Sequence, residues 1–161
     1  MPRCALSRDE LVEVYEIWKL LGSMAAARAA MMASREQVLE AVELVARMRT
    51  EDVGEQWADH NIRFHGLIEN AGSGPRLAGI LGELRELTES YIRESILSQG
   101  HEASRDANAE HEEILRAIMT GDAEAAADAT LRHLDSSLRG LLELRLVEPA
   151  TSASQVPAVG Y

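Results

Sequence analysis

Apolar residues recur every three to four positions along most of the chain, and clusters of capping residues interrupt them. That period predicts helices, and no segment alternates with strand period over a useful length. Ser7-Arg8-Asp9-Glu10 reads as a capping box, in which the Ser7 hydroxyl caps the first turn and Glu10 reaches back. The helix it opens is expected to run to about Ala33, with Leu11, Val14, Tyr15, Trp18, Leu21, Ala25 and Ala29 inward. Its small side chains suit close packing, and Met24, Met31 and Met32 are expected to fill irregular gaps. Ser34-Arg35-Glu36-Gln37 is a second capping box, and the helix to about Arg49 carries Val38, Val42, Val45 and Met48 on one face. A third helix is expected from near Asp52 to Ala71, with Gly72 as a left-handed stop. Pro75 suits the first position of a fourth. That helix runs through Leu77, Leu81, Leu84, Leu87 and Tyr91 to about Ser98, where Gln99-Gly100 is expected to break it. A fifth starts between Ser104 and Ala107 and stops at Gly121. Asp122 caps the last, which runs to about Val147.

The expected fold is therefore all-α, an antiparallel bundle of about six helices joined by short connections. Residues 1–7 read as an N-terminal extension, 8–147 as one domain, and 148–161 as a frayed tail rich in Ala, Ser, Thr, Pro and Gly. A chain of 161 residues can bury a real core. With aromatics at only 4%, that core must be built from Ala, Leu, Ile, Val and Met. A net charge of -11 repels phosphate, and no Lys/Arg-rich run marks a local patch for nucleic acid. The single cysteine, Cys4, excludes an internal disulfide framework and suits a reducing compartment. No signal core or long uncharged apolar stretch is present, so the expectation is a cytoplasmic protein with no membrane contact.

Three histidines sit inside the apolar stripes. His65 follows Trp57, Asn61 and Phe64 on the third helix; His111 shares a row with Ala107, Ile114, Leu115 and Ile118. His133 flanks the row Leu131, Leu134, Leu138 and Leu141, over the small residues Ala126, Ala129 and Thr130. Asn61 stands one turn before His65 and faces the same way. Asp59 is about 120° away around the helix, so Asn61 is the better geometric partner. Imidazole nitrogens and an oxygen donor that converge in a core point to a divalent cation. Zinc suits this donor set first, with nickel or manganese as alternatives.

A single buried histidine is more often satisfied by a carbonyl or a carboxylate. Glu110, Glu112 and Asp135 are neighbours in sequence but are expected to point elsewhere. His60 and His101 fit no stripe and are expected to be exposed. The series Glu83, Arg85, Glu86, Glu89 reads as a solvated face. The chain has no glycine-rich phosphate loop, no Gly-x-Ser-x-Gly elbow and no His-Glu-x-x-His pair. Two further readings stay open: a helical metalloenzyme acting on a small acid, for which a general base is missing because Asp59 and His60 turn away from His65, and a purely structural dimerisation domain.

The pattern Asn61-x-x-Phe64-His65, Glu110-His111-x-x-Ile114-Leu115-x-Ala117-Ile118, Gly121-Asp122-x-x-x-Ala126 and Arg132-His133-Leu134 resembles the FCD domain. This is the C-terminal effector domain of FadR-type regulators in the GntR family of bacterial transcription factors. Leu11-Val12-Glu13-Val14-Tyr15-Glu16 resembles its first helix, and the likeness covers roughly residues 8 to 146. The resemblance implies a bundle of six or seven helices around a central cavity, and a homodimer. It implies a divalent cation on Asn61, His65, His111 and His133, and a small organic acid as effector. DNA would be reached only through a winged helix-turn-helix that this sequence does not contain. The chain departs from the family at Trp18, where Arg is usual, at Gly22, where an acid is usual, and at Gly74, where Asn is usual. Asn61 stands in place of the commoner Asp. Trp18 and Arg63 are the candidate effector contacts, and Trp18 would favour a more apolar acid.

Overall fold

The computed structural model describes residues 6–144, with the backbone alone at 99–103. Cys4, the His101 side chain and the expected tail lie outside the described residues. The described residues form five helices in order: α1 Arg8–Met32, α2 Arg35–Thr50, α3 Glu55–Ala71, α4 Pro75–Thr120 and α5 Ala123–Glu143. The described residues contain no strand, and the fold is the expected all-α bundle.

Local chemistry sets most of the ends. Ser7 and Glu10 close a full capping box, as do Ser34 and Gln37. Pro75 begins α4, and Asp122 accepts from the Ala125 amide at 3.0 Å to open α5. Two expectations change. Gln99-Gly100 does not interrupt the chain: α4 is one element of 46 residues. A helix-interior glycine costs only about 1 kcal/mol against alanine, and both halves of α4 are anchored. Leu81 and Leu84 pack with Leu11, Tyr15 and Trp18, while Ile114, Leu115 and Ile118 pack with Trp57 and Phe64.

Gly72 is not a left-handed stop; its φ is -98°, and Gly121 is the residue at +72°. Gly72 is required by a close crossing instead. A Cβ there would stand 1.8 Å from the Ala25 carbonyl oxygen of α1. The alanines of α1 serve the same contact, since Ala25, Ala26 and Ala29 are fully buried. The methionines do not fill gaps: Met24, Met31 and Met32 lie on the outside, as do Val42, Leu87 and Leu131.

The core has two apolar clusters. One gathers Trp57, Phe64, Met48 and Ile114; the other gathers Leu11, Tyr15, Trp18, Leu81 and Leu141. Both are built mainly from Ala and aliphatic residues around a few aromatics. The inward polar residues of α3, α4 and α5 meet where these clusters join.

Candidate metal centre

His65, His111 and His133 come from three helices and converge. Each offers a ring nitrogen, and these atoms lie within 4.8 Å of one another. The Nε2 atoms of His65 and His133 are 3.1 Å apart, and those two rings stack at 4.8 Å between centroids. The His111 ring sits 5.1 Å from that of Phe64 and 6.1 Å from that of Trp57. It is fully buried, and neither of its nitrogens has a hydrogen-bond partner. An unsatisfied buried polar group normally costs about 1–3 kcal/mol. A neutral imidazole keeps one lone-pair nitrogen, and on His111 that nitrogen is free to serve as a cation donor beside two further imidazoles.

The surrounding groups orient the ligands. Glu110 accepts from His133 Nδ1 at 2.7 Å. With the proton on Nδ1, the His133 Nε2 lone pair is left facing His65 and His111, as carboxylate partners of ligating histidines commonly arrange. Burial, then the nearby His133, pushes the pKa of both His65 and His111 well below the ordinary histidine value. The neighbouring Arg85 adds to the effect at His65 and His65 itself at His111. Both rings are therefore neutral near pH 7, the form that binds a cation.

The same shifts predict an acid-sensitive fold in the metal-free protein. Each folded-state pKa is depressed, so the unfolded chain takes up the proton first. Above about pH 6.5 both states are neutral and no stability is lost. As pH falls below that value, stability declines by up to about 1.4 kcal/mol per pH unit for each histidine. Chemical denaturation of chelator-treated protein should show a lower midpoint at pH 5.5 than at pH 7.5. An unchanged midpoint would mean that the two rings are accessible to protons.

Asn61, His65 and His133 line one cavity of about 320 Å³, within the range of small-ligand sites. Asn61 is only 7% exposed. His111 is not among the lining residues. Trp18 lines the cavity, and its indole N–H donates to Glu69 at 2.6 Å. The two departures on α1 are one packing event. A Cβ at Gly22 would lie 3.3 Å from the Trp18 ring, so Gly22 gives the indole its space.

Arg63 is a correction. Its side chain is 67% exposed and pairs with Glu40 on the surface; it does not line the cavity. It lies two residues from both Asn61 and His65, on the far side of α3. Asp59 is likewise outside, paired with Arg93. His60 is half-buried beside Glu51, 2.9 Å away, and not exposed as expected.

Sequence reasoning missed three residues. Glu110 does point away from its neighbour His111, but toward His133 on another helix. Glu69 is 5% exposed and bridges Trp18 and Arg85. Arg85 belongs to that buried pair and not to a solvated face. Its guanidinium passes close to Gly66, where a Cβ would meet the guanidinium carbon at 3.4 Å. One signal was available: Glu69 falls one turn after His65, on the face already assigned inward.

This is an all-α domain with a cluster of three imidazoles, two of which line its cavity. The model of the FCD domain family matches residues 13–136, and the chain belongs to that family, the effector-binding regulatory domains of GntR-type transcription regulators. It is similar in fold to a GntR-family transcriptional regulator from Pseudomonas syringae pv. tomato str. DC3000, with a TM-score of 0.76 at 20% identity. That match covers 86% of this chain and 58% of the other. A second likeness, to E. coli McbR/YncC, has a TM-score of 0.76 at 18% identity and covers 84% of this chain and 66% of that one. A third is to Lar, which controls the expression of the Listeria monocytogenes agr system and mediates virulence. There the TM-score is 0.70 at 17% identity, over 88% of this chain and 67% of that one. The chain thus spans about three-fifths to two-thirds of the length of these structures. No curated protein sequence matches it at a significant level. Among the described residues, no helix is long and apolar enough to cross a membrane.

Proposed function

We propose that this domain senses a small organic acid through a bound divalent cation, as the cytoplasmic effector module of a dimeric GntR-type regulator. The observation that carries the reading is the fully buried His111, whose two nitrogens lack partners beside two further imidazoles. Asn61, His65, His111 and His133 would hold the cation. Zinc fits these donors first, with nickel or manganese as alternatives. When bound, it would supply a positive anchor for a carboxylate at the inner end of the cavity. Glu110 holds the His133 ring in place, and Trp18, pinned by Glu69, forms an apolar wall. With no arginine at position 18, the cation would be the main anchor for the acid.

The dimer follows from the family and is supported by Ile17, Leu20, Met24 and Met31. These residues are exposed and share one outer face of α1. Sedimentation equilibrium that reads only monomer would reject it. The acid reading is tested by thermal-shift measurements with small carboxylates, with and without chelator. Stabilisation should require metal; a shift that survives full metal removal would overturn the reading.

The fourth ligand gives a separate test. Asn61→Asp puts an anion where Asn61 offers only a neutral oxygen. Zinc affinity should rise on the order of tenfold, because ligand charge tunes affinity. Competition titration against a chromogenic chelator measures it. Equal or weaker affinity in the variant would remove Asn61 from the ligand set.

A further inference from the structure

We propose that Ser137, aimed by the buried Tyr15 hydroxyl, is the specificity-determining donor of the cavity, and that it reads a carbonyl oxygen on the γ carbon of the acid. This rests on the metal-and-acid reading above and adds the ligand's second polar group. Tyr15 on α1 and Ser137 on α5 both line the cavity, and their hydroxyl oxygens are 2.9 Å apart. Either atom could donate in that contact, and burial decides which one does. Tyr15 is fully buried, whereas Ser137 is half-buried. Burial pushes the Tyr15 hydroxyl up to about 12, so it keeps its proton near pH 7. Among the described residues Tyr15 has no other acceptor for that proton. A buried donor left unmade is costly, so Tyr15 donates and Ser137 Oγ accepts.

Ser137 then has its own proton to place. Hydroxyls on helices often turn that proton back to a carbonyl one turn earlier, as those of Thr88, Ser98 and Thr120 do. Ser137 does not; among the described residues it makes no second hydrogen bond. Its proton is available to an occupant of the cavity. Ser137 stands one turn after His133 on the same face of α5, about 6 Å along the axis. The γ carbon of an extended acid lies about 4 Å from its carboxyl carbon. With the carboxylate on a cation held by His133, a γ carbonyl comes within a hydrogen bond of about 2.8 Å from Ser137. The wall beside the chain is apolar, with Trp18 and Leu134, and the Trp18 N–H is already donated to Glu69. Ser136 also lines the cavity, but among the described residues no contact aims its hydroxyl.

Calorimetry on the zinc-loaded chain with 4-oxopentanoate and 4-methylpentanoate tests this. The two acids share length and shape and differ by an oxygen against a methyl on the γ carbon. The parent should bind 4-oxopentanoate about fivefold more tightly, the worth of one neutral hydrogen bond. Ser137→Ala should abolish that preference, and Ser136→Ala should keep it. The double variant Tyr15→Phe/Ser137→Ala removes both hydroxyls, strands neither in the core, and should lose the preference equally. Tyr15→Phe keeps the serine without its aim, and the preference should fall to about twofold; a tyrosine that served packing alone would leave it unchanged. Equal affinity of the parent for the two acids would overturn the inference. So would a preference that survives Ser137→Ala or falls with Ser136→Ala instead. Each of these results leaves the acid reading standing. Zinc-loaded protein that binds neither acid would overturn the acid reading itself.

Discussion

Replacing His111 with leucine should make the metal-free protein more stable and abolish tight metal binding. The ring is fully buried among Phe64, Trp57 and the other imidazoles, and both nitrogens are without partners. Leucine is of similar bulk and has no polar atom to leave unsatisfied. Removing the two orphaned nitrogens should gain about 1–3 kcal/mol in the metal-free state. Loss of a direct ligand should weaken zinc by at least about 100-fold, more than the loss of an outer-shell partner. Metal itself stabilises the parent chain by mass action, so the order of stability should invert when zinc is added. Urea denaturation of both proteins, with chelator and with zinc, measures all four states. A variant that is less stable without metal would mean that the His111 ring is satisfied within the fold, and the purely structural reading would stand.

Glu69→Ala should be strongly destabilising although it lies away from the imidazole cluster. Glu69 is 5% exposed and holds both the Trp18 indole and the Arg85 guanidinium. Its loss removes the buried partner of a partly buried cation and leaves Glu86 and Glu89 as its nearby carboxylates. Breaking a buried pair costs about 3–5 kcal/mol, and the residual exposure of Arg85 places this one near about 3 kcal/mol. The melting temperature should fall by about 8 °C for a chain of this length. Glu40→Ala, which breaks the exposed pair with Arg63, should cost less than about 0.5 kcal/mol. The paired replacement Glu69→Leu with Arg85→Met should recover most of the loss, because an apolar pair removes the stranded charge. Similar melting temperatures for Glu69→Ala and Glu40→Ala would show that the Trp18–Glu69–Arg85 network carries no stability. The same network fixes the indole that walls the cavity, so Glu69→Ala should also weaken ligand binding to metal-loaded protein.

Helix positions and faces were legible in the sequence because both depend on neighbours. Capping at Ser7, Ser34 and Asp122 is settled within three residues, and the 3.6-residue period assigns Asn61, His65, His111 and His133 inward without reference to any other helix. Whatever depends on register between helices was not legible. Glu110 looked misdirected because its angle was judged against His111 on its own helix, whereas its partner is His133, 23 residues away. Arg85 looked solvated because its partner Glu69 lies on α3, 16 residues earlier in the chain. Gly72 looked like a turn residue because the α1 backbone it must approach is 47 residues earlier in the chain. Gln99-Gly100 looked like a break because the modest cost of one interior glycine is local, while the packing that outweighs it is spread over both ends of α4. Local periodicity therefore determined most of the inward faces, with Val42, Leu87 and Leu131 as exceptions. Only the packing of α3, α4 and α5 decided which of them meet, because contact depends on the offset between helices, and the period of one helix carries no information about that offset.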